Sequence, residues 1–150
     1  MTSKVDSANL TLRMSEEVIL NGKSYGSKSV QTISSVNTVV ESIFTVPANT
    51  TSTILQFSST ESIGTFTSTG IKYIRLTNLD DTNFVRLHFS DGSNVNIDVK
   101  LEPSRTMIFT NTYFSGTDAN NTFSSFSNFT TISGKADTSP VDIEVFAAGG

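Results

Sequence analysis

Ser90-Asp91-Gly92-Ser93-Asn94-Val95-Asn96-Ile97-Asp98-Val99-Lys100-Leu101-Glu102-Pro103, SDGSNVNIDVKLEP, is the most regular stretch of this chain. Side chains along a strand point alternately to its two faces, so Val95, Ile97, Val99 and Leu101 share one face. Asn94, Asn96, Asp98 and Lys100 share the other. Asp91-Gly92 precedes this run, and Asn83 to Phe89 (NFVRLHF) precedes the turn with its own alternation of Val85, Leu87 and Phe89. An Asp-Gly pair between two alternating runs signals a β-hairpin, because glycine takes the positive φ that tight turns need. Pro103 has no N–H to give a ladder, so the strand ends there and a turn leads to Thr106 to Thr112.

Upstream of this hairpin, Ile71 to Leu79 reads as a strand with Ile74 and Leu76 inward. Ser42 to Pro47 and Ser52 to Ser58 flank the polar turn Ala48-Asn49-Thr50-Thr51 and predict a second hairpin. Leu10, Leu12 and Met14 alternate near the start, Glu16 to Leu20 ends at Asn21-Gly22, and Val141, Ile143 and Val145 alternate near the end. Gln31 to Phe44 is too β-branched for a good helix. The sum is all-β: an antiparallel β-sandwich, jelly-roll-like, of eight or nine short strands with no major helix.

A chain of 150 residues is read as one domain, residues 1–150, with a core large enough to need no staples. There is no cysteine, which removes disulfides and thiolate metal sites. The opening MTSKVDSANL lacks the apolar core of a signal peptide, and no apolar run approaches the ~20 residues that span a bilayer. The expectation is a protein made in the cytoplasm, without a membrane partner. A net charge of −4 and the lack of a basic cluster argue against direct nucleic-acid binding, which rests on Lys and Arg neutralising phosphates.

Residues 115–139 differ from the rest, being mostly turn formers with Phe123, Phe126 and Phe129 at every third position. A long polar loop carrying three large apolar side chains must put them somewhere. They pack on the flank of their own sandwich, or they face another subunit as candidate interaction residues. Residues 1–8 and Ala147-Ala148-Gly149-Gly150 read as arms that order on contact.

Chemistry is sparse. His88 is the one histidine, on an outward face beside Arg86, and acid–base work needs a histidine held by a second group within reach of a nucleophile. Asp91 lies three residues away across a turn, and no serine occupies a G-x-S-x-G elbow, so His88 reads as a surface residue without a role. Asp80, Asp81 and Asn83, and Asp91 with Asn94, suit turns better than a calcium loop. Adjacent Glu16 and Glu17 point to opposite faces of a strand. The reading is therefore not an enzyme, with no catalytic residue, metal or cofactor. Tyr25, Tyr73 and Tyr113 are the aromatic platforms that a glycan-binding sandwich would use, with no tryptophan to help them.

The run from Ile71 to Phe109 resembles a segment of small virion proteins of tailed bacteriophages, marine ones in particular. The resemblance rests on Thr77, Asn78 and Asp80 at a strand end, then Asn83, Phe84 and Val85, Gly92 in a turn, and Lys100, Leu101, Pro103 and Phe109. The closing VDIEVFAAGG is similar to the last strand and small-residue tail of the same proteins, whereas Pro103-Ser104 stands where they often carry Pro-Gly. What the resemblance implies is a structural part of the virion, foremost a capsid decoration or cement protein bound to the major capsid protein or other virion subunits. A neck or tail component is the nearest alternative, and a glycan- or receptor-binding module a further one. Closed symmetry of repeated parts implies a homo-oligomer, with a trimer as the working number.

The register has a direct test. Ile97→Asp places a charge on the apolar face and should lower the melting temperature sharply, while Asn96→Asp leaves it unchanged. Equal melting curves for the two variants would contradict the assigned faces.

Overall fold

The computed structural model describes residues 6–58, 66–67, 70–93, 96–111, 113–114 and 127–150. Its strands begin with β1 (Ala8–Ser15), β2 (Val18–Leu20), β3 (Lys23–Tyr25), β4 (Lys28–Val36) and β5 (Thr38–Val46). They continue with β6 (Ser52–Ser58), β7 (Phe66–Thr67), β8 (Ile71–Asn78), β9 (Val85–Ser90) and β10 (Asn96–Leu101). The last are β11 (Thr106–Phe109), β12 (Tyr113–Phe114), β13 (Ser127–Asn128), β14 (Thr131–Ala136) and β15 (Val141–Gly149). No helix occurs among the described residues. The chain is all-β, as its alternation requires.

Two sheets carry the core in a sandwich-like arrangement: five strands in the order β10-β9-β14-β6-β7 and four in the order β11-β8-β15-β5. One pairing, β6 with β7, is parallel, where the sequence suggests antiparallel neighbours throughout. Val85, Leu87, Phe89 and Ile132 from the first sheet join Ile74, Leu76, Ile143 and Val145 from the second in one apolar cluster. All eight are essentially solvent-free, and burial of side chains of this size stabilises by ~1.5–3 kcal/mol each before the entropy of ordering is set against it. Phe89, Phe109 and Phe129 bridge the layers, their ring centroids 5.0–5.9 Å apart. Phe129 is thus a core residue and no docking contact. Phe123 and Phe126 lie outside the described residues.

The opening hairpin forms as its pattern dictates. β9 and β10 pair antiparallel from Asn96↔Ser90 to Leu101↔Val85, with Gly92 at a φ of 82° in the connection. The segment before it is locked by one buried side chain. Asn78 Nδ2 donates to the carbonyls of Asn83 (3.0 Å) and Leu101 (3.2 Å), and its Oδ1 accepts from the N–H of Asp80 (2.9 Å). Asp80 Oδ1 in turn accepts the backbone N–H groups of Asn83 (2.6 Å) and Thr82 (2.7 Å), which hold its carboxyl below its ordinary pKa. Ser104, where a glycine would be at ease, sits at a φ of 57° and donates its N–H to the Asp80 carbonyl at 2.9 Å.

Several expectations are corrected. The two runs around Ala48-Asn49-Thr50-Thr51 do not form a hairpin: β5 pairs with β15, and β6 pairs with β14 in the other sheet, so this turn carries the chain across the core. Within 115–139, Thr131 to Ala136 is no loop but β14, a strand interior to the five-stranded sheet. Its inward positions are Ile132, Gly134 and Ala136, and a Cβ on Gly134 would meet Ile54 Cδ1 at 2.9 Å. Small residues are what this crowded place admits, and they mask the strand pattern. The closing Ala147-Ala148-Gly149 is likewise no arm: β15 pairs with β5 and β8 along its length, and Ala147 and Ala148 are fully buried. At the other end, residues 1–5 of the expected 1–8 arm lie outside the described residues, and Ala8 already opens β1.

Asn78→Ala removes the partner of two carbonyls and one N–H, and should cost about 1–3 kcal/mol in denaturant unfolding. Ser104→Gly should raise the melting temperature by relieving the left-handed backbone, an effect of up to ~1 kcal/mol.

Candidate functional site

The first quarter of the chain, β1 to β4, builds a two-stranded ribbon. β1 pairs with β4 from Leu10↔Ile33 to Ser15↔Lys28, and β2 pairs with β3 from Val18↔Tyr25 to Leu20↔Lys23. Asn21 and Gly22 turn the tip with φ of 52° and 77°, the double positive φ of a two-residue hairpin turn. Between the two halves the ladder is interrupted at Glu17 and Gly26, while the Glu16 N–H still reaches the Ser27 carbonyl at 2.9 Å. Gly26 has a φ of 131°, and a Cβ there would fall 1.9 Å from the Glu16 carbonyl oxygen. Only glycine lets the two strands approach so closely at this joint. Glu16 and Glu17 lie in the joint rather than in a strand.

The base of the ribbon is fastened to the outer face of the four-stranded sheet. Leu10, Leu12 and Ile33 pack on Val36, Tyr73, Ala148 and Phe146, a second apolar cluster apart from the main core. Tyr73 and Phe146 meet edge to face at 5.9 Å, and burial pushes the Tyr73 phenol up despite nearby Arg75. Lys72 Nζ donates to the carbonyls of Ser34 (3.0 Å) and Ser35 (2.9 Å), and the Asn37 N–H bonds the Gly149 carbonyl at 2.9 Å. Tyr73 is therefore no aromatic platform, and the side chain of Tyr113 lies outside the described residues. Tyr25 is exposed, with Lys23 Nζ 5.2 Å from its ring centre.

Beyond the joint the ribbon is uncovered. Val18, Ile19 and Leu20 are 61%, 70% and 58% exposed, and Tyr25 is 50% exposed. Three consecutive apolar residues open to water on both faces of a two-stranded segment are unusual, because such ribbons are marginal without a covering layer. Pattern reading places Leu10, Leu12 and Met14 on a strand, but the pairing of β1 with Lys28 to Val36 is not legible there. The signal for it is Asn21-Gly22, a hairpin turn between equal runs.

A second constellation stands on the outer face of the five-stranded sheet. His88 Nδ1 and Asp98 Oδ1 are 2.6 Å apart, Arg86 Nη2 pairs with Asp98 Oδ2, and Thr51 and Lys135 help line the shallow depression around them. Sequence reading has His88 and Asp98 both outward but does not pair them, because the five-residue connection, longer than Asp91-Gly92 alone, sets the register. Asp98 fixes the ring of His88, and Ser133 faces His88 across the next strand. Among the described residues, however, no hydrogen bond joins Ser133 Oγ to the ring, so the dyad has no engaged nucleophile. Among the described residues no cluster of three or more His, Asp or Glu could hold a metal. Comparison with known protein families, curated proteins and solved structures finds no match to this chain.

Asp98's carboxyl lies below its ordinary 3.8, through the Arg86 hydrogen bond first and His88 second. A carboxyl depressed in the folded state stabilises above its unfolded pKa, and that contribution is lost as pH falls through the folded value. Asp98→Asn should therefore lower the melting temperature slightly at pH 7 and by less at pH 2. An equal loss at both pH values would contradict the pairing.

Proposed function

We propose that this protein is a non-enzymatic structural subunit of a tailed-phage virion, foremost a capsid decoration or cement protein that binds shell subunits. The observation that carries the reading is the fastened ribbon with its apolar end in water. A self-sufficient domain gains nothing from holding Val18, Leu20 and Tyr25 away from its own core, whereas a subunit that docks on neighbours does. The resemblance of Ile71 to Phe109 to small virion proteins supports the same reading. Its Asn78, Asp80 and Asn83 form the lock between β8 and β9, a framework role for residues that carry the resemblance. Repetition on a symmetric shell favours a homo-oligomer, with a trimer as the simplest ring.

Quantitative mass spectrometry of purified particles tests this. A copy number matching the capsid lattice, and capsids that burst at lower temperature once the protein is stripped, are expected. A copy number matching the axial symmetry of the tail moves the protein to the neck or tail. Its absence from particles and presence only in lysate would end the virion reading.

A further inference from the structure

We infer that the exposed end of the ribbon docks on a second copy of this chain, against the outer face of that copy's four-stranded sheet beside β5. The inference rests on the assembly reading above and names the partner of its docking device.

The register of the ribbon supplies the first argument. Ser15 faces Lys28 and Val18 faces Tyr25, so equal lengths of chain cross the joint on both sides and the pairing does not slip. Counting along β1 and β2, Leu10, Leu12, Met14, Val18 and Leu20 fall on one face, broken only by Glu16. Ile33 and Tyr25 fall on that same face as the partners of Leu10 and Val18. This is one apolar stripe. Its own sheet covers the half that carries Leu10, Leu12 and Ile33 and leaves Val18, Leu20 and Tyr25 open.

The sheet shows the matching half. Its outer face has Tyr73, Ala148 and Phe146 under the ribbon base. In the same cross-strand rows stand Val39 opposite Ala148, Glu41 opposite Phe146 and Ile43 opposite Glu144. Val39 and Ile43 are 54% and 64% exposed, although they continue the surface that already receives an apolar ribbon. The open half of the stripe and the open half of its seat belong to one kind of interface, so a second copy completes both.

Charge agrees. Lys23 lies on the stripe face beside Leu20 and Tyr25, and Glu41 lies between Val39 and Ile43 on the seat. Neither has an ion pair among the described residues. A cation set among apolar groups on one surface and an anion set among apolar groups on the other fit a head-to-tail contact, which closes into a ring when the rotation allows.

The chain's lack of cysteine makes the test clean. Full-length Leu20→Cys and Ile43→Cys proteins are mixed and oxidised at micromolar concentration, and wild type is run in sedimentation equilibrium. A disulfide between the two variants, favoured over either variant with itself, together with a wild-type oligomer lost in Leu20→Asp at unchanged melting temperature, is the expected result. Lys23→Glu should weaken the oligomer and Lys23→Glu with Glu41→Lys should restore it. Cross-linking of Leu20→Cys chiefly to itself, or a wild-type monomer throughout, overturns the inference. A monomer that still sediments with particles defeats self-association alone. An oligomer never found on particles defeats the virion reading alone.

Discussion

A strand that has water on one side and a core on the other needs one apolar face, and a two-stranded ribbon can cover that face only by lying on something else. This constraint governs the molecule. The ribbon of β1 to β4 carries a single apolar stripe, and the four-stranded sheet covers the half of it nearest the base. That coverage explains why the outer face of this sheet bears Tyr73, Phe146 and Ala148 in place of polar residues. It also explains why Lys72 turns its ammonium to the carbonyls of Ser34 and Ser35 and closes the end of β4 against β8. The tip is the part of the stripe that the fold leaves unanswered.

Beneath the ribbon, β15 runs through the middle of the sheet, with β5 on one side and β8 on the other. Its inward Ile143 and Val145 belong to the main core, and its outward Phe146 and Ala148 to the ribbon seat. A strand covered on both faces can carry little that is large or charged, which accounts for the small-residue close of the chain. Glu144 is admitted because Arg75 answers it at 2.5 Å and also lies over the Phe146 ring. The main core and the ribbon seat are thus joined through one strand.

What was legible in the sequence was what depends on local alternation. Val85, Leu87 and Phe89 against Ile97, Val99 and Leu101, and the inward Ile74 and Leu76, follow from a period of two. What was not legible depends on pairing at a distance. Turn chemistry at Ala48-Asn49-Thr50-Thr51 says that the chain reverses, but not whether it returns to its own sheet or crosses to the other. β14 is not legible because Gly134 and Ala136 are small where the core is crowded, and Thr131, Ser133 and Lys135 suit a loop equally well. The same ambiguity hid the partnership of His88 with Asp98, which a change of one residue in the connection would have undone. Of the candidate interaction residues, Phe129 lies in the core, its ring packed against those of Phe89 and Phe109. The exposed ribbon tip is legible as an apolar run ending at Asn21-Gly22, but its isolation from the core is not.

Amide hydrogen exchange measured over a range of protein concentrations reads the ribbon tip and its seat separately from the core. Protection at residues 18–25 and 39–43 should rise together with concentration, while residues 85–89 and 143–147 stay equally protected at every concentration. Protection at the tip and seat that is independent of concentration, or that rises at the tip without the seat, would show that the two surfaces do not meet.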